Sequence, residues 1–283
     1  MKVRFGTLIG AIGLFFLLFG LSPAEIDQMI KKADQLEDEG KYEESNKILF
    51  EVLKEDPNNK YAYWMIARNY YNIGELIPTE KEKEKLDYYI KCEEWARKGA
   101  EKNPEVAESY FYIAVGMSQQ ALVKGIAKSL ALADDIEEMY IKTLDMHPTY
   151  RTETDSTEAN AHFALCQFYR KVPESRLMKL FFGTRGDMDK AVEHCRKAVE
   201  LYPDRIDYNK EMGIALICRG NRRNNSKDIE EGKKWLKKTL ELPAETEIDR
   251  IDQRDAQKIL NDPKLACGYS RVKQEEVTEV KKE

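Results

Sequence analysis

Histidine and cysteine are scarce in this chain, three and five in 283 residues. His194 and Cys195 are neighbours and so point to different sides of a helix, which is not how a metal site is spaced. No glycine loop of the G-x4-G-K-[ST] kind is present to cradle a phosphate. His162 and Cys166 stand four apart, on one helical face, where a base could serve a thiolate. Yet Cys166 occupies a slot that calls for a small packing residue, and no Asn or Asp is placed to orient the imidazole. No catalytic residue, metal or cofactor is therefore expected. The odd number of cysteines, four of them inside helical runs, does not form a disulfide framework. Cys92, Cys166, Cys195 and Cys218 are expected as small buried thiols, with Cys267 the exposed one.

Proline and glycine are also few, nine and fifteen, and fall mostly at the ends of periodic runs. That suits a mostly helical chain with short punctuation. The net charge is −5 with both signs interleaved, so no broad basic face offers itself to a phosphate backbone and nucleic acid is excluded as a partner. The long apolar run is at residues 7–21, behind Lys2 and Arg4 and ahead of Ser22, Pro23 and Ala24. It is shorter than the roughly 20 residues that cross a bilayer. The first reading of residues 1–24 is a cleaved signal peptide; the alternative is an uncleaved inner-membrane anchor. Either way the remainder is expected outside the cytoplasm, in the periplasm or cell envelope, and membrane contact is expected only through an uncleaved leader. No cysteine follows the run to carry a lipid.

What the chain does have is a repeating layout. Its hydrophobic share of 42% supports a sizeable core. In DKAVEHCRKAVELYP, residues 189–203, Ala191, Cys195 and Ala198 form a small-residue stripe at helical spacing, Val192, Val199 and Leu201 add bulk beside it, and Pro203 ends the run. Comparable proline-terminated runs close at Pro57, Pro104, Pro148 and Pro243, at intervals of 47, 44, 55 and 40 residues along the series. A helical pair precedes each proline. Residues 245–260 read as a single closing helix, and residues 263–283 as a charged, disordered tail.

These residues resemble the tetratricopeptide repeat (TPR), whose pattern is W-x2-L-G-x2-Y, then A-x3-F, then P. The second repeat offers Tyr63, Ile66, Ala67 and Tyr70, then Cys92, Ala96 and Pro104. The third offers Tyr110, Ile113, Ala114 and Met117, then Ile136, Tyr140 and Pro148. The fourth has Leu165, Cys166 and Tyr169, then Ala191, Cys195 and Pro203; the fifth has Met212, Gly213 and Leu216, then Gly232, Leu236 and Pro243. The resemblance implies an all-α, right-handed superhelical solenoid of about five long hairpins plus a C-terminal capping helix over residues 25–262. The extra length, the LMKLFFG segment at 177–183 and the WLKKTLELP segment at 235–243 are similar to the regulator of microtubule dynamics family, helical-repeat proteins tied to microtubules or membrane contacts. The bacterial-looking leader argues against carrying a microtubule role over. Exported TPR proteins that accompany periplasmic solute-binding proteins are a second likeness, by fold and compartment.

A curved stack places the first helix of each pair on its hollow side. Its residues not used for packing are the candidates for holding a partner: Tyr61, Trp64, Arg68, Tyr71 and Asn72, then Phe111, Val115 and Gln119, then Asn160, Phe163, Gln167, Arg170 and Lys171, then Lys210 and Ile214. Aromatic rings supply area, amides bond an extended backbone, and arginines meet carboxylates. The alternative for each ring is plain core packing. The insert at 172–186 carries Leu177, Met178, Leu180, Phe181 and Phe182, too apolar for an open linker. It must fold back, meet a partner or touch a membrane, as a short helix capping the groove edge or as a lid over it. The expected function is a non-catalytic scaffold binding a protein or peptide. The alternative is a ligand-handling subunit of a transport system, holding a small solute under the insert in a pocket lined by Trp64, Phe163 and Arg170.

Overall fold

Proline sets the rhythm of the fold. Asp56, Asn103, Tyr202 and Asp262 each end a helix directly before a proline, all with φ between −128 and −138° and ψ between 74 and 88°. The proline ring bars helical backbone in the residue before it, so the helix stops there and the chain turns back. The next helix then fastens the turn. Tyr63 and Tyr110 donate their hydroxyls to the carbonyls of Pro57 and Pro104 at 2.8 and 3.1 Å, and the Asn209 amide donates to Pro203 O at 2.7 Å. Each donor stands six residues beyond its proline.

The computed structural model describes residues 21–125 and 130–270, and apart from one isolated bridge between Arg151 and Ser156 the regular elements among them are helical. The helices pair in order: α1 (Pro23–Asp38) with α2 (Tyr42–Glu55), α3 (Ala62–Leu76) with α4 (Glu82–Lys102), and α5 (Ala107–Lys124) with α6 (Ala133–Asp145). Then α7 (Thr157–Lys171) pairs with α9 (Met188–Leu201) across the short α8 (Arg176–Phe182), and α10 (Ile206–Arg223) with α11 (Ser226–Glu241). A last helix, α12 (Glu247–Asn261), leads into a 3-10 helix at Pro263–Gly268. Each first helix also touches the first helix of the next pair, α1 to α3 and on through α5, α7, α10 and α12, which the second helices do not do to the same degree. The side with the closer neighbours is the inside of the curve, so the first helices line the inner face of a right-handed superhelical stack.

Small side chains let the helices approach. A Cβ added to Gly213 would lie 2.9 Å from Gly232 O, and one added to Gly232 would lie 2.7 Å from Gly213 O, so α10 and α11 cross backbone against backbone. Gly116 meets the Glu93 main chain in the same way where α5 crosses α4. Around these crossings the core is continuous, with Leu49, Ile66, Ala67, Ala96, Ala114 and Leu165 among its fully or almost fully buried members.

Four sequence expectations meet a different outcome or fall outside the described residues. The apolar leader lies outside them, save that Ser22 caps α1 by accepting from Glu25 N while the Glu25 carboxylate receives Ser22 N, with Pro23 in the first turn. Of the third pair, residues 126–129, between α5 with its cap Gly125 at φ 89° and α6, also lie outside the described residues. The first part of the expected tail is ordered, because residues 263–269 pack on α10. The cysteines expected as reduced thiols are instead paired: Cys166 with Cys195, Cα atoms 5.1 Å apart, and Cys218 with Cys267, 4.7 Å apart. The first pairing follows from the repeat itself, since the small-residue slots of α7 and α9 face each other across the crossing and here both hold sulfur. Cys92 remains free and buried.

Candidate functional site

The inner face near the end of the stack is built around Arg170, in the last turn of α7. Its side chain is wholly buried, and its Nε donates to Glu211 of α10 at 2.5 Å. Its Nη1 donates to the carbonyls of Ala266 and Tyr269 at 3.4 and 3.1 Å. Nη2 is buried without a partner. Next along α10, Lys210 Nζ donates to Asp252 of α12 at 2.5 Å and to the Tyr269 hydroxyl at 3.0 Å, and that hydroxyl donates to Asp255 at 2.9 Å. Asn221, near the end of α10, donates to Pro263 O at 2.8 Å. The chain's own residues 263–269 thus lie along the inner face, held by three of their main-chain carbonyls and by the Cys218–Cys267 bond. A carbonyl is common to every residue, so this grip reads backbone rather than sequence. Burial pushes the Glu211 carboxyl up, but the Arg170, Lys171 and Lys210 charges outweigh it and hold the group below the usual carboxylate range.

The beginning of the stack is filled by a different loop. Trp64 stacks parallel to Tyr112 at 6.3 Å and meets Tyr150 edge-on at 5.2 Å. The Arg68 guanidinium lies over the Trp64 and Tyr150 rings at 5.2 and 4.9 Å and pairs with Asp34 at 2.6 Å and Glu37 at 3.4 Å. Tyr150 comes from the connection between α6 and α7. That connection is tied down by Glu108, whose carboxylate accepts from Thr149 N and Tyr150 N at 2.7 Å each. Its long reach is what the 55-residue interval between Pro148 and Pro203 contains, together with α8.

The candidate residues therefore scatter into distinct surroundings. Trp64, Arg68, Phe111, Arg170 and Lys210 are buried. Phe111 packs against Tyr112 and Tyr140. Asn72 donates to Glu37 at 2.7 Å, and Tyr71 lies beside Tyr89. Asn160 accepts from the Tyr208 hydroxyl at 2.7 Å, and Phe163 lies on the Tyr208 ring. Gln119 and Gln167 are half-buried, while Tyr61 and Lys171 are exposed. Trp64, Phe163 and Arg170 thus belong to three separate clusters. The insert forms α8, from which Met178 points inward; Thr184 is bonded to Glu137 of α6, so the insert is fastened to a second helix.

Residues of this face that sequence reasoning passed over are Glu108, Glu211, Asn221, Asp252, Asp255 and Tyr269. One signal was available: Lys210 and Glu211 stand side by side directly before the apolar and small run 212–218 of the same helix, where an unpaired charge would be costly. Nothing marks Tyr269, which ends a short run of mostly small and apolar residues after Pro263.

A second feature lies between α7 and α9. His162 and His194 bring their Nδ1 atoms to 2.8 Å, one ring donating and the other accepting. Burial first, then neighbouring charge, pushes both down to about 4. Cys166, four residues from His162, is joined to Cys195 and has no free thiol to activate. Among the described residues no group of three or more His, Cys, Asp or Glu could hold a metal ion.

The family model of the regulator of microtubule dynamics protein 1-3 matches residues 29–265. Regulator of microtubule dynamics protein 1 of Pongo abelii is 24% identical over 241 residues, covering 84% of this chain and 72% of that protein. Protein 3 of Rattus norvegicus is 26% identical over 250 residues, covering 83% of this chain and 48% of that protein. Among solved structures, the thermophilic TPR protein TTC0263 of Thermus thermophilus superposes with a TM-score of 0.53 at 14% identity, covering 82% of this chain and 98% of that one. The human IFIT1 dimer with PPP-AAAA gives a TM-score of 0.55 at 15% identity, covering 85% of this chain and 47% of that one. Both likenesses concern the fold. The relatives overturn one expectation: they are mammalian regulators, so export to a bacterial periplasm or envelope does not stand, and the transport reading that needed that compartment goes with it. No helix among the described residues is long and apolar enough to cross a membrane.

Proposed function

The chain belongs to the regulator of microtubule dynamics protein 1-3 family, and on that footing we propose that it is a non-catalytic repeat scaffold that serves microtubule regulation by holding a protein partner. The partner is held through a length of its main chain laid along the inner face of α7 and α10. One observation carries the reading: the face already holds such a length, residues 263–269, by Arg170, Asn221 and the Cys218–Cys267 bond. A partner segment would take the place of this resident one, and the accessible Tyr61, Gln119, Gln167 and Lys171 would add contacts along the face.

The test is co-sedimentation of the full chain with purified microtubules, beside a variant carrying Asn221→Ala and Cys267→Ser, in which the resident segment is loosened. The expected result is tighter binding by the loosened variant, lost again when Arg170→Lys is added, because lysine cannot reproduce the forked donors of arginine. Equal binding by all three chains would place the contact elsewhere. No binding by any of them would refute the microtubule part of the reading.

A further inference from the structure

The largest cluster of exposed apolar side chains in the described residues is on α8. Leu177, Leu180 and Phe181 are 63, 74 and 72% exposed, while Met178 of the same helix is buried and Phe182 is half-buried. Helical spacing explains the split. Met178 and Phe182 share the face that rests on the scaffold, Leu180 stands at the opposite crest, Leu177 and Phe181 lie on one flank of that crest, and Arg176 and Lys179 lie on the other. Arg185 follows three residues after the helix ends. None of these three cations takes part in an ion pair among those the described residues form, and all three are exposed. Of the nearby carboxylates, Glu174 pairs with Arg222 at 3.0 Å and Glu137 receives Tyr169 and Thr184, while Asp134 lies against Gly183 at the end of the helix, on the side of α6.

The helix is also prepared in advance. Ser175 caps its start by accepting from Leu177 N, Gly183 ends it with φ 73°, and Gly186 N bonds back to Pro173 O at 3.0 Å, closing the insert on itself. Its apolar tips protrude as a ridge rather than lining a groove.

From this geometry we propose that α8 is a docking element for an anionic lipid bilayer. Leu177, Leu180 and Phe181 enter the boundary between headgroups and acyl chains, and Arg176, Lys179 and Arg185 remain level with the phosphates. A ridge of leucine and phenylalanine beside unpaired cations is the arrangement of interfacial membrane helices, where apolar burial and headgroup attraction add. A protein partner would need a matching groove with an acidic rim. A bilayer needs neither, because it deforms around the tips and supplies negative charge along its whole surface. The docking site is on the insert and independent of the inner face, so both can be occupied together.

The test is vesicle flotation of the full chain with bilayers of phosphatidylcholine alone or with a third of the lipid replaced by phosphatidylserine. Three chains are compared: the unaltered one, one with Leu177→Ser, Leu180→Ser and Phe181→Ser, and one with Arg176→Gln, Lys179→Gln and Arg185→Gln. The leader is the same in all three, so their differences report α8, and unchanged circular dichroism melts show that the exposed substitutions leave the fold intact. Binding to the anionic vesicles is expected to fall at least tenfold in the serine variant. In the glutamine variant it is expected to fall about fivefold for each cation removed, and salt should weaken the unaltered chain most. Equal binding by all three chains, or no preference for the anionic vesicles, overturns the proposal. So does a concentration-dependent dimer in sedimentation velocity that the serine variant abolishes while vesicle binding stays absent, since the ridge would then be a contact between two copies of this chain.

Discussion

Replacing Arg170 with methionine should be among the most damaging single changes in the inner face, and its cost should depend on pH in a way that identifies the cause. Arg170 and Glu211 have 0 and 1% of their side chains exposed. Methionine retains most of the volume but leaves the Glu211 carboxylate without its closest opposite charge. Breaking a buried pair by removing one member typically costs about 3–5 kcal/mol. Two hydrogen bonds to main-chain carbonyls are lost as well, but water admitted beside the loosened 263–269 segment offsets part of that loss. We therefore expect about 4 kcal/mol at pH 7, a fall in melting temperature of roughly 10 °C for a chain of this size. In the unaltered chain the Glu211 carboxyl is held below its ordinary range, so its contribution is present above the unfolded value near 4.3 and is lost as pH falls through the folded value. In the variant burial is opposed only by the Lys171 and Lys210 charges, so the group moves up and the stability that its ionised form contributes shrinks as pH rises. The difference between the two chains should vanish only below the folded value of the unaltered chain and should grow with pH from there toward pH 8. Urea unfolding followed by circular dichroism at several pH values measures it, with the slope m confirming that the same surface is exposed in each chain. Adding Glu211→Leu should restore much of the loss at pH 7. A cost below about 1 kcal/mol at pH 7, or no recovery in the double variant, would refute the account of a dry, mutually dependent pair.

The His162–His194 pair adds an acid-side dependence of its own. Both rings are held down to about 4, from 6.5 when free, so the unfolded chain binds more protons between those values; stability should decline as pH falls from 6.5 toward 4, and His162→Gln with His194→Gln should flatten that decline in thermal melts. A thiol reagent should find nothing in the native, unreduced chain and a single thiol, Cys92, after denaturation, since burial pushes that thiol up and the other four sulfurs are joined. Five reactive thiols on denaturation would show the pairs to be open. Gly232→Ala puts a methyl against Gly213 O and should cost about 1–3 kcal/mol by forcing α10 and α11 apart; a neutral result in urea unfolding would show that the crossing can relax.

Much of the repeat was readable because its causes are local. A residue before a proline cannot stay helical, and a small side chain every third or fourth position leaves a stripe for close approach, so Pro57, Pro104 and Pro203 and the Ala191–Cys195–Ala198 stripe announce helix ends and crossings without reference to the rest of the chain. The inner face was less readable for the same reason. Trp64, Phe111 and Phe163 have the composition of a binding surface, yet whether a ring on that face meets solvent depends on what the connections do. The loop carrying Tyr150 and the segment ending at Tyr269 come to lie there from far along the chain. The leader was read as an export signal from a charge pattern, and only the relatives removed the bacterial destination inferred from it.

The order, spacing and type of the helices, and which side of each would be packed, were determined by the sequence itself, since propensity, period and proline act within one or two turns. Tertiary structure decided which surfaces were left over. Arg170, Lys210 and Glu211 needed partners once desolvated; Arg170 and Glu211 took each other, and the other partners came from α12 and from residues 263–269, some 40 to 100 positions away. The same contest left Leu177, Leu180 and Phe181 outside. Local pattern shows that a charge must be paired or an apolar chain covered; the partner is chosen by the three-dimensional path of the chain.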